Sequence, residues 1–249
     1  MSVIKKILIL SLVLNTCFIG FIGFKMLTRH QQHLVEEQLR FQPVTIPYFV
    51  GRNEVLEKLP NQSHEIIMLG DSHVQNFEWH EIFKNVSIIN RGINGDITKG
   101  VLNRIDEVVK SQPDMVFLEV GINDLLFGFA MDSVFNNYTV IIQTIKTKSP
   151  VTEIYVHSLL PTSRNINYTN SPVLPNILAF NKRLGEYCDA QQIPYIDLFS
   201  NLVSEQKLNP HYDCGDDLHL NSKGYKLWCQ VIKNYIVTTK NVTSWQTTK

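Results

Sequence analysis

The sequence predicts an α/β protein in which a five-stranded parallel sheet lies between two layers of helices. Five short, mostly apolar runs recur along the chain, and longer amphipathic stretches separate them. The runs span residues 65–69, 87–90, 115–120, 153–157 and 194–198. Strands that alternate with helices form parallel sheets through right-handed crossovers, so a doubly wound three-layer sandwich is the simplest topology.

Helical patterns fill the connections, near residues 76–84, 98–110, 131–147, 174–191 and 222–238. A chain of 249 residues, 44% of them apolar, is long enough to fold one such domain around a full core. Its 23 basic and 23 acidic residues balance. This balance gives no electrostatic reason to expect nucleic acid as a partner.

The N-terminal residues predict a membrane segment. Residues 7–24 carry no charge and follow the basic Lys5 and Lys6. As a helix this run would be roughly 27 Å long, close to the hydrocarbon thickness of a bilayer. Since no A-x-A-like cleavage pattern precedes Lys25, an uncleaved single-pass anchor is favoured over a cleaved signal peptide. Either way, we expect the rest of the chain to lie outside the cytoplasm, membrane-anchored or secreted.

The domain organisation follows from these patterns. Residues 1–28 are the predicted anchor or signal segment. Residues 29–58 are a predicted polar connector, in which Pro43 and Pro47 end a helical stalk. The sheet and its helices occupy residues 59–240, and residues 241–249 form a polar tail. In the predicted domain, Cys214 and Cys229 either pair in an oxidising compartment or remain free thiols.

Chemically reactive side chains follow the predicted strands. Ser72 lies in the segment GDS after the first strand, Gly95 in RGINGD after the second, and Asn123 in GIND after the third. Asp216 and His219 lie in DDLHLN, just before the last helix. Ligands bind beyond the carboxyl ends of the strands in open parallel sheets, so we expect these segments to meet at one edge.

These residue types suit catalysis by a serine nucleophile. A serine hydroxyl attacks weakly until a base takes its proton, and a carboxylate usually orients that base. The Asp-x-x-His spacing lets one loop supply both Asp216 and His219. The backbone N–H groups of Ser72 and Gly95 and the amide of Asn123 are candidate donors to an oxyanion. The structural alternatives are a helix N-cap at Ser72 and a turn residue at Asn123.

The four segments, in this order, resemble the SGNH hydrolase superfamily, also called GDSL esterases and lipases. The resemblance spans about residues 65 to 230. It implies a flavodoxin-like SGNH hydrolase fold, a catalytic triad of Ser72, Asp216 and His219, and an oxyanion hole of Ser72, Gly95 and Asn123, with no cofactor and no metal. The segments GINGDIT and HLNSKGY most resemble the branch of platelet-activating-factor acetylhydrolase-like and carbohydrate acetylesterase-like members.

Five further polar residues lie in or after these segments and the fourth predicted strand. His73 follows the candidate nucleophile and would either contact the acyl or leaving group or lie on the rim. His157 and Arg164 could line the pocket. Asp217 would face solvent or cap the last helix, and Asp124 would be structural.

The sequence therefore predicts a membrane-anchored serine esterase acting on a short acyl ester, such as an O-acetyl group on a cell-surface glycan. A lysophospholipid or another lipid ester is the next candidate substrate. An O-acyltransferase could use the same triad with a sugar hydroxyl in place of water. The alternative that is not an enzyme is a glycan-binding envelope protein.

Overall fold

A parallel sheet of five strands, in the order β2-β1-β3-β4-β5, forms the centre of the computed structural model. The strands are β1 (Ile66–Gly70), β2 (Ile88–Gly92), β3 (Met115–Glu119), β4 (Glu153–His157) and β5 (Tyr195–Ile196). All residues of β1 and β3 are buried, because helices cover both faces of the sheet. The predicted five-stranded parallel sheet is confirmed. A small antiparallel pair, β6 (Val203–Ser204) and β7 (Lys207–Leu208), adds to it.

The structure describes residues 5, 20, 21, 23–26, 47–59, 64–84, 86–164 and 173–239. The chain divides into two compact units, Met1–Gln42 and Pro43–Lys249, and the second contains the sheet. Of the helices within the described ranges, none combines the length and apolar character that crossing a bilayer requires. Of the predicted anchor, residues 7–24, the described ranges include residues 20, 21, 23 and 24, and the anchor stays a prediction.

Ten helices lie within the described part of the second unit. They are α1 (Pro47–Lys58), α2 (Ser72–Gln75), α3 (Trp79–Ile82), α4 (Thr98–Asn103), α5 (Ile105–Lys110), α6 (Ile122–Leu126), α7 (Met131–Lys148), α8 (Val173–Ala190), α9 (Phe199–Leu202) and α10 (Ser222–Thr239). Helices α4 to α8 pack on one face of the sheet, and α2, α3 and α10 pack on the other. The helix predicted over residues 98–110 is two helices, which meet at Arg104.

Helix α1 corrects the prediction for residues 29–58. Pro47 is the first residue of a helix, where its missing N–H is not needed. Phe49 and Leu56 of α1 are buried together with Ile93, which follows β2. Residues 47–58 therefore belong to the same compact unit as the sheet, and the proposed stalk before them lies outside the described residues.

The cysteines of the described chain are free thiols. Cys188 and Cys229 are buried, and Cys214 is exposed. Of the two alternatives for Cys214 and Cys229, the structure has the unpaired one.

Candidate active site

Ser72 lies at the sharp change of direction between β1 and α2. The residue that caps α2 is Asp71, whose Oδ1 accepts the backbone N–H of His73 at 3.0 Å. Ser72 is therefore the first helical residue, and the N-cap alternative is wrong. Gly70 ends β1 rather than forming the turn itself. A Cβ on Gly70 would collide with the carbonyl oxygen of Glu119 on β3, so glycine is needed there for close packing.

His219 connects Ser72 to Asp216. Its Nε2 lies 3.0 Å from Ser72 Oγ, and its Nδ1 lies 2.6 Å from Asp216 Oδ2. These are the contacts of a nucleophile, a base and a carboxylate that orients the base. Ser72 is largely buried, with 6% of its surface exposed. The structure brings together the three residues that the sequence predicted as a triad.

Asp216 is held ionised beside His219. Partial burial opposes its ionisation, but the N–H of His219, the His219 ring and the N–H of Leu218 all donate to its carboxylate. These hydrogen bonds outweigh burial and hold the pKa of Asp216 well below its usual range. Its carboxylate is therefore charged at any pH near neutral and keeps a proton on His219 Nδ1.

Asp213 stabilises the loop that carries Asp216 and His219. The Asp213 carboxylate accepts the backbone N–H groups of Gly215, Asp216 and Asp217 at 2.8, 3.2 and 3.2 Å. Asp217 is exposed and has a positive φ of 62°, and its Oδ1 accepts the Ser163 hydroxyl at 2.9 Å. Asp217 therefore faces solvent, as one alternative predicted. The sequence analysis did not identify Asp213. An aspartate whose side chain can accept the backbone N–H groups of the residues that follow it is a recognised sign of a turn.

Asn123 lies at the junction of the two other oxyanion candidates. Its Nδ2 donates to the carbonyl of Asp96, next to Gly95, at 2.8 Å, and lies 3.5 Å from the carboxylate of Asp71, next to Ser72. Gly95 has a φ of 77°, which suits glycine, and open space surrounds the position of a Cβ. Asn123 is thus more than a turn residue, because it links the segments that carry Ser72 and Gly95.

Arg104 ties the Gly95 turn to the end of β1. Its Nε donates to Asp96 Oδ2 at 3.0 Å, and its Nη2 donates to the carbonyls of Gly70 at 3.1 Å and Arg91 at 2.9 Å. Burial raises the pKa of Asp96 to about 6, although the charge of Arg104 acts in the opposite direction. The sequence analysis did not identify Arg104. This residue separates α4 from α5, and its side chain points to the carboxyl ends of β1 and β2.

Asp124 has the structural place that the sequence predicted. Its carboxylate accepts the backbone N–H of Thr98 at 2.9 Å and the Thr98 hydroxyl at 2.6 Å. Burial raises the pKa of Asp124 to about 7, against the effect of these hydrogen bonds. Asp124 therefore fastens the start of α4 to the start of α6, on either side of the site.

Two histidines are not where the sequence placed them. His73 and His157 are both fully buried, so neither lies on a rim or lines an open pocket. His157 stacks on Phe117 at 5.7 Å and meets Trp228 edge-on, and burial lowers its pKa to about 3. Arg164, which could line the pocket by the sequence analysis, is exposed and places its Nη1 3.3 Å from Asp216 Oδ2.

Two groups in the described chain have three potential metal donors close together. One consists of Asp71, His73 and Glu119, and the other of Asp213, Cys214 and Asp216. The second is occupied with backbone N–H groups and with His219. In the first group, the His73 ring already bonds to the carbonyl of Leu218. Its other nitrogen faces the carboxylates of Asp71 and Glu119, as an imidazolium would. We assign no metal to either group.

The fold and this constellation define an acyl hydrolase with a serine nucleophile at the carboxyl edge of its sheet. The chain belongs to the GDSL-like Lipase/Acylhydrolase family, whose model matches residues 69–227. The chain is therefore a carboxylic ester hydrolase of this family. The family resemblance inferred from the four segments is confirmed.

The chain is similar to named acetylhydrolases and to a lipase of known structure. The chain is 27% identical over 184 residues to platelet-activating factor acetylhydrolase IB subunit alpha1 of Bos taurus, over 70% of this chain and 75% of the bovine protein. It is 27% identical over 180 residues to subunit alpha2 of Rattus norvegicus, over 70% and 76% of the two chains. The crystal structure of a GDSL-like lipase from Bacteroides thetaiotaomicron shares the fold, with a TM-score of 0.68 and 22% identity over 77% of this chain and 98% of that one.

Proposed function

We propose that the protein is a serine esterase that removes a short acyl group, foremost acetyl, from a carbohydrate through an acyl-enzyme on Ser72. The hydrogen-bonded path from Ser72 Oγ through His219 to Asp216 carries this proposal, with distances of 3.0 and 2.6 Å. A family of ester hydrolases and a complete path of this kind together favour hydrolysis over a binding role without catalysis.

In the first half of the reaction, His219 Nε2 takes the proton of Ser72 Oγ as that oxygen attacks the ester carbonyl. The Asp216 carboxylate stabilises the imidazolium that forms. Negative charge develops on the carbonyl oxygen, and the N–H groups of Ser72 and Gly95 and the amide of Asn123 are the donors to it. The Asn123 amide suits this role because, among the described residues, it makes one short hydrogen bond, to the Asp96 carbonyl, while the contact with Asp71 is long at 3.5 Å.

In the second half, the alcohol leaves with the proton held by His219, and the acyl group stays on Ser72. Water then gives a proton to His219 and attacks the acyl carbonyl. Collapse of this second oxyanion breaks the bond to Ser72 Oγ, which takes the proton back from His219. The carboxylic acid leaves, and the resting geometry returns.

The surroundings of the site favour a short acyl group and a polar alcohol. Of the large apolar residues that are exposed in the described chain, none belongs to the four segments that carry the site. Two exposed polar side chains belong to its surroundings, Arg164 beside Asp216 and Asn94 beside Gly95. The bovine and rat relatives are named acetylhydrolases, which supports acetyl as the acyl group.

A lysophospholipid or another lipid ester is the second candidate substrate. The names of the same relatives favour it, because they give platelet-activating factor as what those proteins act on. Transfer of the acyl group to a sugar hydroxyl is a third outcome of the same acyl-enzyme. A glycan acceptor that lowers the release of free acetate while it gains acetyl groups would show transfer.

We further propose that residues 7–24 anchor the enzyme to a membrane with its site outside the cytoplasm. The uncharged run of these residues supports the anchor. Alkaline carbonate extraction of membranes from cells that express the full chain, with a variant lacking residues 7–24 as control, tests this. Release of the full chain into the soluble fraction would contradict it.

The proposed activity is tested with p-nitrophenyl acetate, butyrate and octanoate, using the full chain and Ser72→Ala. We expect hydrolysis that is greatest on acetate and falls by at least about a thousandfold in Ser72→Ala. A preference for octanoate would move the assignment to lipid esters. A folded protein that hydrolyses none of the three would contradict the esterase proposal.

A further inference from the structure

A second acid–imidazole arrangement lies directly behind the nucleophile. Asp71, His73 and Glu119 are fully buried. His73 Nδ1 lies 3.7 Å from Asp71 Oδ1 and 3.7 Å from Glu119 Oε2. Neither carboxylate oxygen of Glu119 has a hydrogen-bond partner among the described residues. A buried carboxylate without hydrogen bonds is costly, and the adjacent imidazole is what can offset its charge.

The other side of the same imidazole faces the loop that carries His219. His73 Nε2 lies 3.0 Å from the carbonyl oxygen of Leu218, the residue immediately before His219. The rings of His73 and His219 meet edge-on, with centroids 5.6 Å apart. Tyr225 of α10 donates its hydroxyl to the carbonyl of His73 at 2.9 Å. His73 is thus buried between the turn that carries Ser72 and the loop that carries Asp216 and His219, and it contacts both.

The charges around His73 fix which way its protons point. Burial opposes its protonation, but Glu119 first and Asp71 second raise the pKa of His73 to about 9. As a cation, it donates from Nε2 to Leu218 and directs Nδ1–H at the two carboxylates. Among the described residues, His219 and Tyr225 are the other titratable groups that contact His73, and burial raises the pKa of Tyr225, which stays a neutral donor.

We propose that His73 is a positioning residue, which Glu119 orients and which holds the Leu218–His219 backbone so that His219 Nε2 stays in reach of Ser72 Oγ. The inference rests on the proposed esterase function. The loop needs such a contact because Asp216 is 37% exposed and His219 24% exposed at their side chains. A displacement of about 1 Å at a reacting group can cost about a hundredfold in rate.

The decisive comparison is between His73→Gln and His73→Leu in the full chain. Glutamine can place an amide N–H where Nε2 lies, whereas leucine fills a similar space and donates nothing. We expect His73→Leu to lower kcat on p-nitrophenyl acetate by about 10- to 100-fold with KM within about twofold. We expect His73→Gln to remain within about fivefold of the wild-type kcat, since the contact with Leu218 survives.

Two further variants keep the comparison sound. His73→Leu leaves Glu119 buried without a counter-charge, so a double variant with Glu119→Gln removes both charges and protects the fold. The double variant should show the same loss of kcat as His73→Leu.

His157→Leu is the matched control, because it also replaces a fully buried imidazole, but one whose ring contacts among the described residues, Phe117 and Trp228, are not residues assigned to the site. Its kcat should equal that of the wild type.

The contact itself has a spectroscopic signature that does not depend on activity. The Nε2 proton of His73 should give a slowly exchanging, downfield NMR resonance that disappears in both leucine variants. A wild-type kcat in the double variant, or equal losses with glutamine and leucine, would overturn the proposal. So would one equivalent of bound metal in the purified protein, since His73 would then be a ligand. Failure of the esterase function would look different: the wild type itself would be inactive, while the resonance would still report the contact.

Discussion

Arg104→Met should destabilise the protein and, separately, slow its reaction. Arg104 is buried and donates to the Asp96 carboxylate and to two carbonyls, one of them on Gly70, two residues before Ser72. Methionine keeps most of the side-chain volume but removes the charge and all donors. The end of β1 and the turn with Gly95 then lose their shared tether, so the oxyanion donors should also lose their alignment.

The expected cost follows from what remains behind. Breaking a buried ion pair costs about 3–5 kcal/mol when the partner stays charged. Asp96 can limit this cost by taking up a proton, because burial already raises its pKa to about 6 and loss of Arg104 would raise it further. A carboxyl with a raised pKa in the folded state stabilises the fold at low pH, and this contribution is lost as pH rises through that pKa. The difference from the wild type should thus be about 2–3 kcal/mol larger at pH 8 than at pH 5.

Urea unfolding followed by circular dichroism at both pH values measures these free energies, and kcat/KM on p-nitrophenyl acetate measures the effect on the site. Arg91→Met is the matched control, because Arg91 is equally buried and its Nε donates to the Glu107 carboxylate at 2.8 Å, an ion pair that includes none of the triad or oxyanion residues. It should cost stability but leave kcat/KM within about threefold. A pH-independent loss below about 1 kcal/mol in Arg104→Met, or equal kinetic losses in both variants, would refute the reasoning.

Two further predictions concern a buried histidine and the oxyanion site. The two ring nitrogens of His157 have no hydrogen-bond partner among the described residues, and burial lowers its pKa to about 3, so the unfolded chain binds its proton first as pH falls below 6.5. His157→Phe should therefore unfold at higher urea than the wild type at pH 7, and its advantage should grow by about 2 kcal/mol at pH 5; a constant difference would contradict this. Asn123→Ala should lower kcat by about 100- to 1,000-fold with little change in KM on p-nitrophenyl acetate, and a loss in KM alone would remove Asn123 from the oxyanion site.

The sequence predicted the sheet well because its strands are buried on both faces. Continuous apolar runs then mark β1, β3 and β4 to within a residue or so. The fifth strand is shorter than its apolar run, since only Tyr195–Ile196 pair with β4. Helix limits were harder to predict, because periodicity does not reveal that Arg104 turns inward and ends α4, or that Pro47 begins a helix.

The reactive residues were predictable because each sits in a short segment with its own local pattern. Ser72, His219 and Asp216 lie within hydrogen-bond reach, as the segments implied. The role of His73 was not predictable, since its partner Leu218 is 145 positions away in the chain. One signal was present: Glu119 is an acid at the end of an otherwise apolar, fully buried strand, where a charge needs a partner.

The acyl-enzyme is the most direct test of the account. The full chain would be mixed with p-nitrophenyl acetate, quenched in acid within milliseconds and analysed by intact-mass and peptide mass spectrometry. The account predicts one acetyl group on Ser72, formed with the first release of p-nitrophenol and absent in Ser72→Ala. Acetyl on another residue, or turnover by the Ser72→Ala protein at the wild-type rate, would contradict it.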